Sequence, residues 1–557
     1  MRGSPEWTGD PYVQVYTHKP MEELTTDILV IGSGLAGILS ALEAERSGLH
    51  VLVLGKFAIG MGTNTSLAST FTAVNSRFSK EDHVRVTLEA GRGLNQRPLV
   101  TTLAENGFEA IEALRRYGVP LVETERGYVL DRPETVSQLA GVLFLRILRE
   151  RLEGSSVRIL PGLTIFDLIV EDGKIRGAFG FHKDGKSYLI RSKAVILATG
   201  GAGAIYRRND NQRSILGDGY VLALKAGLPL YDLEFVQCYP FVLAEPRLST
   251  FILYPPYSNE ARLLNEQGEG LLEASGVQGN MNQVILNQRD RLSLFLYEAS
   301  QKSDIFFDLT RVPEGEWERY PLNVLKKSKF PFRERPFLIS PAVHFCMGGV
   351  EIDDKGKTAV AGLFAAGEVV WGVHGANRHG GNALTECAVF GIAAGRSAVE
   401  HVRSKGEAQI PSDPSPETLR QKWERKANQY LKKRRGAFDH PQDLLKDLKN
   451  LAWKYIGPVR EDGSLKEGLE LLASLETRIE KVYPATVGDL FRKRDLENVS
   501  LLIKAILKGS LLRTESRGSF CRKDFRNQDD PNWLKNTCYR LKKTEIEITH
   551  RPVSPSP

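Results

Sequence analysis

The chain has 557 residues, of which 41% are hydrophobic and 26% charged, an ordinary globular mixture. That excludes a fibre or a largely disordered chain, and the length suffices to bury a core without disulfides or a structural metal. Lys+Arg 75 against Asp+Glu 68 leaves a formal charge of +7, too thinly spread to be a nucleic-acid footprint, so no nucleic-acid partner is expected.

Residues 1–24 read as a polar arm without the apolar run of a secretory signal. From Thr26 to Lys56 the pattern is βαβ: DILVIG is a strand, SGLAGILSALEAERSG is a helix ending at Gly48, and HVLVLG is a second strand. Residues 57–150 read as mostly helical, and 156–199 as a β-meander with Asp-Gly turns. Residues 226–343 mix loops and helices around Pro255 and Pro256, and 344–400 return to strands, glycine turns and a helix. Beyond Lys405 a Pro/Ser linker (IPSDPSPET) leads into amphipathic helices, and the basic tail after Thr537 reads as a solvated terminus. No window approaches 18 uninterrupted apolar residues, so membrane association is expected only through a partner. Five cysteines, none in a C-x-x-C pair, predict neither a disulfide framework nor a resident iron–sulfur cluster, and no metal site. They fit a reducing, cytoplasmic compartment.

Glycine is the one enrichment, and Gly32-Ser33-Gly34-Leu35-Ala36-Gly37 is a G-x-G-x-x-G between a strand and a helix. The first glycine permits the tight turn, the second lets backbone approach a pyrophosphate, and the third lets helix pack on strand. The helix N-terminus then offers N–H groups and a positive dipole end to phosphate. The second strand ends at Leu54-Gly55-Lys56, with no acidic residue for a ribose, which counts against a standard NAD site. Ala198-Thr199-Gly200-Gly201 sets a second glycine turn beside the first.

These strings, followed by GDGYVLALKAGLPLYDLEFVQ, FDLT, PAVHFCMGGVEID, LFAAGEVVWGVHGANRHGGNALTECAVFG, RTESRGSFCRKDF and DDPNW, resemble one flavoprotein family over roughly residues 25–540. It is the flavoprotein subunit of succinate dehydrogenase and fumarate reductase, together with L-aspartate oxidase. The ending, R-x-E-S-R-G then D-D-x-x-W, looks more like the succinate/fumarate subunits. The resemblance implies an α/β fold: a Rossmann-like, discontinuous FAD-binding domain (25–225 and 344–403), an inserted α+β capping domain (226–343) and a helical C-terminal domain with its tail (404–557). It implies FAD rather than NAD. By matched position the FAD contacts are Ser33, Ala36, Lys56, Thr65, Ser66, Thr199, Gly201, Asp218, Glu368, Asn382, Ala383 and Leu384, with Gly32, Gly34, Gly37 and Gly200 making the two turns. The plain alternative for Asp218 and Glu368 is turn or helix-cap chemistry.

The family's reaction interconverts a C–C single and double bond beside a carboxylate. Such a site needs cations to hold the carboxylate, a proton donor, and exclusion of water. Arg289, in LNQRDRLSL, matches the family's acid/base arginine; His344 and Arg378 match the pair that binds a substrate carboxylate. The plain readings are a surface salt bridge for Arg289 and a core residue for His344.

The departures fall in the same pocket. Where the succinate/fumarate motif reads E-F-x-Q-x-H-P-T, this chain has Glu234-Phe235-Val236-Gln237-Cys238-Tyr239-Pro240-Phe241. An ungapped count back from Leu263-Leu264-Asn265 puts Leu253, Tyr254 and Tyr257 at the positions of the family's Thr and its proton-relay Glu and Arg. Three readings stay open: a substrate with one carboxylate and an apolar, aromatic or amide-like far end, met by tyrosine hydroxyls that donate hydrogen bonds or carry protons; a C4 dicarboxylate held by backbone N–H groups and tyrosines; or a vestigial site. Asn64 stands where membrane-bound members carry the flavin-linking histidine, so non-covalent FAD is expected, as is a tilt toward reduction. The resemblance suggests that the partner is a separate iron–sulfur protein for electron transfer. The alternatives are a stand-alone oxidase like L-aspartate oxidase, or a flavin electron-transfer subunit.

Overall fold

The predicted βαβ unit forms as β1 (Glu22–Ile31), α1 (Leu35–Glu45) and β2 (Val51–Gly55). Its strands are apolar runs because both faces of the sheet are covered: Ile28, Leu29, Val30 and all of Val51 to Leu54 are buried. This computed structural model describes residues 20–246, 248, 250–404, 416–430, 439–484 and 486–553. Most of the expected N-terminal arm (1–19) and most of the Pro/Ser linker (405–415) lie outside them. β1 starts at Glu22, inside the span read as arm.

β1 pairs in parallel with β2 (Ile28 opposite Val51) and with Ser187–Leu197 (Ile28 opposite Ala194). Arg158–Pro161 extends the β2 edge in parallel, while Leu163–Glu171 and Lys174–His182 run antiparallel into Ser187–Leu197, the predicted meander. Leu363–Ala365 comes back after the long excursion of 226–343 and pairs in parallel with Ser187–Leu197. The helix that follows, Asn382–Ser404, packs on α1, where Ser40 Oγ donates to the Gly391 carbonyl at 2.8 Å. The span 57–150 is less helical than its composition predicts. Helices Lys80–Gly91, Arg97–Arg116 and Ala140–Glu153 share it with a three-stranded antiparallel sheet of Thr70–Thr72, Gly127–Leu130 and Leu121–Thr124. LVETERGYVL alternates around a two-residue turn, a short hairpin that a helix-length window averages away.

Residues 236–346 carry an antiparallel sheet in the order Val236–Leu243, Phe337–Cys346, Ile305–Asp308, Arg262–Asn265. It has its own core, in which Phe241, Leu292, Phe307, Trp317 and Phe337 are buried. Helix Arg289–Ser300 lies against it, Ser293 Oγ donating to the Cys238 carbonyl at 3.2 Å.

The last third packs helices Pro441–Ile456, Asp462–Glu480 and Val487–Leu512 through Leu444, Leu448, Leu465, Leu472, Ile503 and Leu507. A capping box, Thr486 with Asp489, starts the longest helix. The tail departs from expectation. Lys535–Lys542 and Glu545–Pro552 form an antiparallel hairpin, and its first strand pairs with Leu230–Tyr231. Thr537, Cys538 and Tyr539 are buried, so the basic residues decorate a structural strand rather than a solvated end. Among the described residues no helix is long and apolar enough to cross a membrane, and no group of three or more His, Cys, Asp or Glu is arranged to hold a metal ion.

Candidate active site

The turn after β1 is possible only with glycine. Gly32 has φ +118°, and a Cβ there would lie 2.1 Å from the Ala198 carbonyl oxygen; a Cβ on Gly37 would lie 2.1 Å from that of Gly32. The two glycine turns therefore touch, and α1 starts with no side-chain cap, its Leu35 N–H meeting Thr65 Oγ1 at 3.2 Å. They open on one cavity of about 700 Å³. Gly32, Ser33, Gly34, Ala36, Lys56, Thr65, Thr199, Gly200, Asp218, Glu368, Ala383 and Leu384 line it. Tyr239, Tyr254, Arg289, His344 and Arg378 line the same cavity.

Four of the expected contacts stand behind that wall. Gly37 is the packing glycine. Gly201 makes room for Glu368, whose Oε1 sits 2.5 Å from where a Cβ would be. Ser66 donates to the Thr63 carbonyl at 2.8 Å. The Asn382 amide is spent on His83 and Thr87, each at 2.9 Å. These four residues support the lining rather than form it.

At one end Lys56 pairs with Asp218 at 2.5 Å, and Asp218 also takes Arg494 at 3.2 Å. Burial pushes the Asp218 carboxyl up, but the two cations outweigh it and hold it at about 2. In the middle, Glu368 accepts from the Cys346 N–H at 3.2 Å and from Asn64 Nδ2 at 3.3 Å. Burial pushes Glu368 up to about 7 despite those bonds. Asn64 is locked further by Asn211 Oδ1 at 2.6 Å and the Gln212 N–H at 3.0 Å. The buried Thr199 hydroxyl has no partner among the described residues and lies against Gly219, 1.9 Å from where a Cβ would be. A helix N-terminus whose N-cap is a glycine, and two touching glycine turns with no room for a Cβ, on one long cavity fit a dinucleotide.

At the other end Arg289 heads its helix, with Nε donating to the Ile285 carbonyl at 3.2 Å and its guanidinium 5.5 Å from the Tyr239 ring centre. Burial lowers its pKa below the usual arginine value. Arg378 stacks 4.7 Å over Phe345, and its buried Nε has no partner among the described residues. Burial, then the field of Arg289, pushes Arg378 down to about 9. His344 Nδ1 donates to Asp210 Oδ2 at 2.9 Å, leaving the other ring nitrogen for the cavity. Burial holds His344 below its ordinary value, with Asp210 pulling the other way.

The tyrosines differ from expectation. Tyr257 Oη donates to the Leu253 carbonyl at 2.6 Å, so at 2.7 Å it accepts from Tyr239 Oη. Tyr254 Oη donates to the Leu67 carbonyl at 2.7 Å. All three hydroxyl protons are committed within the protein, so the expected donation to a ligand does not occur in this state. Phe241 packs into the neighbouring core, 5.3 Å from Tyr257 and from Phe307. Residue patterns missed Asp210, Asn211, Arg494 and Arg126, the last a half-buried residue of the cavity wall. They sit in polar loops or on a helix face with no motif of their own.

Residues 27–384 match the model of an FAD-binding domain, and residues 445–557 match that of the fumarate reductase flavoprotein C-terminus. An uncharacterised FAD-dependent oxidoreductase of Methanocaldococcus jannaschii is 30% identical over 94% of this chain and 98% of its own length. One subunit of the CoM/CoB fumarate reductase of Methanothermobacter marburgensis is 29% identical over 92% of this chain and 96% of its own. A structure of E. coli quinol fumarate reductase carrying a mutation in its FrdA chain superposes with a TM-score of 0.86 over 96% of this chain and 98% of that one; at 24% identity it speaks for the fold.

Proposed function

This chain belongs to the FAD-binding flavoprotein family of succinate dehydrogenase and fumarate reductase, and we propose that it catalyses oxidoreduction of a carbon–carbon bond next to a carboxylate. One observation carries the reading: the glycine turns and the Arg289, His344, Arg378 cluster line a single cavity. FAD, when bound, supplies two-electron hydride exchange to that cavity. Gly32, Ser33, Gly34, Ala36 and the start of α1 would hold its phosphates, with Lys56, Thr65, Thr199, Asp218, Glu368, Ala383 and Leu384 along its length. Asn64 is an amide engaged by Asn211 and Glu368, which supports non-covalent attachment.

Arg378 is the principal clamp, since a guanidinium offers two parallel donors to a carboxylate. His344 assists once its second ring nitrogen carries a proton. Arg289 donates the proton to the carbon next to the carboxylate. Burial has weakened its hold on that proton, which is what an arginine acid requires. The sheet of 236–346 covers this end and keeps bulk water from the reacting carbons. We further propose that electrons arrive through a separate iron–sulfur subunit; the methanogen relative is one subunit of its enzyme, which supports a chain that works beside another. The complex works in the cytoplasm, with any membrane contact made by the partner.

The test is direct. Acid precipitation of purified protein should leave all FAD in the supernatant. The holoprotein, reduced without oxygen, should then be reoxidised by an unsaturated carboxylic acid but not by its saturated counterpart. Flavin that stays bound to the precipitate would refute non-covalent attachment. Reduced flavin indifferent to every unsaturated acid, yet reoxidised by a carrier protein, would favour an electron-transfer subunit with a vestigial pocket.

A further inference from the structure

The chamber under the cap is chemically lopsided. Arg289, Arg378 and Arg126 all line the cavity; Arg378 Nη1 donates to the carbonyl of His379 at 3.3 Å, and Arg289 Nη2 lies 2.9 Å from where a Cβ on Gly380 would be. Their fields add to the burial that pushes the His379 imidazole down to about 3. That end suits one carboxylate.

The rest of the cap wall offers no comparable grip. The Tyr257 proton goes to the Leu253 carbonyl, which can only accept, and this fixes the direction of the chain Tyr239 to Tyr257 to Leu253. The Tyr254 proton goes to the Leu67 carbonyl. Asn282, also on the wall, is held by the Tyr257 backbone: one Nδ2 proton goes to the carbonyl at 2.9 Å and Oδ1 accepts from the N–H at 2.8 Å, which leaves its second amide proton. The remaining described cap surface comes from Ile252, Pro255, Pro256, Ile285 and Leu286. Among the described residues a second carboxylate there would meet no cation and one neutral amide proton, whereas a hydrocarbon group would meet aromatic and aliphatic surface.

We infer that the substrate is an α,β-unsaturated monocarboxylic acid whose β-carbon carries an apolar group, such as an aryl ring, rather than a C4 dicarboxylate. The inference rests on the flavin-dependent reading above. The double bond gains a hydride at the β-carbon and a proton at the α-carbon. The two electrons come from the reduced flavin of that reading, and the proton comes from Arg289 and is replaced from water. The product is the saturated acid.

The test uses the full-length holoprotein in two measurements. In the first, anaerobically reduced protein is mixed with cinnamate or with fumarate and flavin reoxidation is followed. In the second, oxidised protein is titrated calorimetrically with 3-phenylpropionate or with succinate. Burial of a phenyl ring predicts at least about a tenfold advantage for the monocarboxylate in both. Tyr254→Ala should erase most of that advantage, and Tyr239→His, which adds a titratable donor, should improve succinate binding. Faster reoxidation by fumarate and tighter binding of succinate would overturn the inference and leave the flavin reading intact. Binding of 3-phenylpropionate with no reoxidation by any acid would overturn the redox reading and the substrate assignment with it. Neither binding nor reoxidation would overturn both.

Discussion

The pair His344 and Asp210 predicts that ligand binding takes up a proton. Nδ1 is committed to Asp210 at 2.9 Å, so His344 can donate to a substrate carboxylate only from Nε2, and only when the ring is charged. In the free protein burial, with Arg378 and Arg289 nearby, keeps its pKa below the ordinary 6.5, so the ring is neutral at pH 7.5. A carboxylate arriving about 4 Å away favours the charged ring by about 4 kcal/mol at an effective dielectric constant of about 20. That raises the pKa of the ring in the complex. The sign follows. Affinity is greatest below the free pKa, falls about tenfold per pH unit above it, and levels off above the pKa of the complex. Titration calorimetry with a saturated acid, in buffers of different ionisation enthalpy at pH 7.5, should show net proton uptake on binding. Asp210→Asn removes the group that favours the charged ring, so the uptake should vanish and affinity at pH 7.5 should drop at least about tenfold. A dissociation constant that is flat between pH 6.5 and 8.5, with no buffer dependence in the wild type, would refute the argument.

Three further outcomes are expected. Arg378→Gln leaves one neutral donor in place of a charge-assisted pair, and losing one bond worth about 1.5–3 kcal/mol should lower affinity for the acid about 10- to 150-fold in the same titration, with flavin content unchanged. Arg494→Met leaves Asp218 paired with Lys56 alone, and reconstitution of apoprotein followed by flavin fluorescence should need about tenfold more FAD; unchanged affinity would confine Arg494 to packing. Arg513→Met leaves the fully buried Glu234 without a cation and Glu515 with Arg517 alone, and should lower unfolding stability by about 3–5 kcal/mol in a denaturant titration. Stability equal to the wild type would mean that water or another group reaches those carboxylates.

The parts of the site readable from sequence are those in which one residue type is obligatory. Gly32 and Gly37 are legible because no other residue fits against Ala198 and Gly32 carbonyls, and Arg289, His344 and Arg378 sit inside motifs around such constraints. Tyr239 is legible as a departure, but its consequence is not. Whether a tyrosine donates to a ligand depends on where its proton already goes, and Leu253 and Leu67 carbonyls settle that only after folding. Asp210 and Arg494 have no periodic relation to His344 and Asp218; long-range packing alone pairs them. The C-terminal hairpin was hidden by its charge. YRLKKTEIEI alternates like a strand, yet its Lys and Arg dominate a compositional reading.

Long-range packing also makes the terminal motif and the loop of Arg378, the proposed carboxylate clamp, parts of one device. Arg378 stands on a loop held from three directions. The end of helix Lys80–Gly91 takes the Ala376 N–H at the Gly91 carbonyl, 2.9 Å away. Gln237 of the cap sheet donates to Asn377 Oδ1 at 2.7 Å and to the Arg378 carbonyl at 2.9 Å. From the C-terminus, the Ser519 N–H and hydroxyl both donate to the Ala376 carbonyl at 3.0 Å. Behind Ser519, Arg517 is fixed by Glu515 and reaches the Arg92 carbonyl at 2.8 Å, while Arg513 ties Glu515 to Glu234 at the root of the cap strand. R-x-E-S-R-G is thus a buried ion network that joins the cap, the second glycine-rich segment and the helical region at the place where the clamp must not move. A displacement of 1 Å at a reacting centre can cost about 10²-fold in rate. The loop that positions the guanidinium is therefore braced by elements far apart in sequence, and substitutions near Arg517 should slow turnover without touching a single residue of the cavity wall.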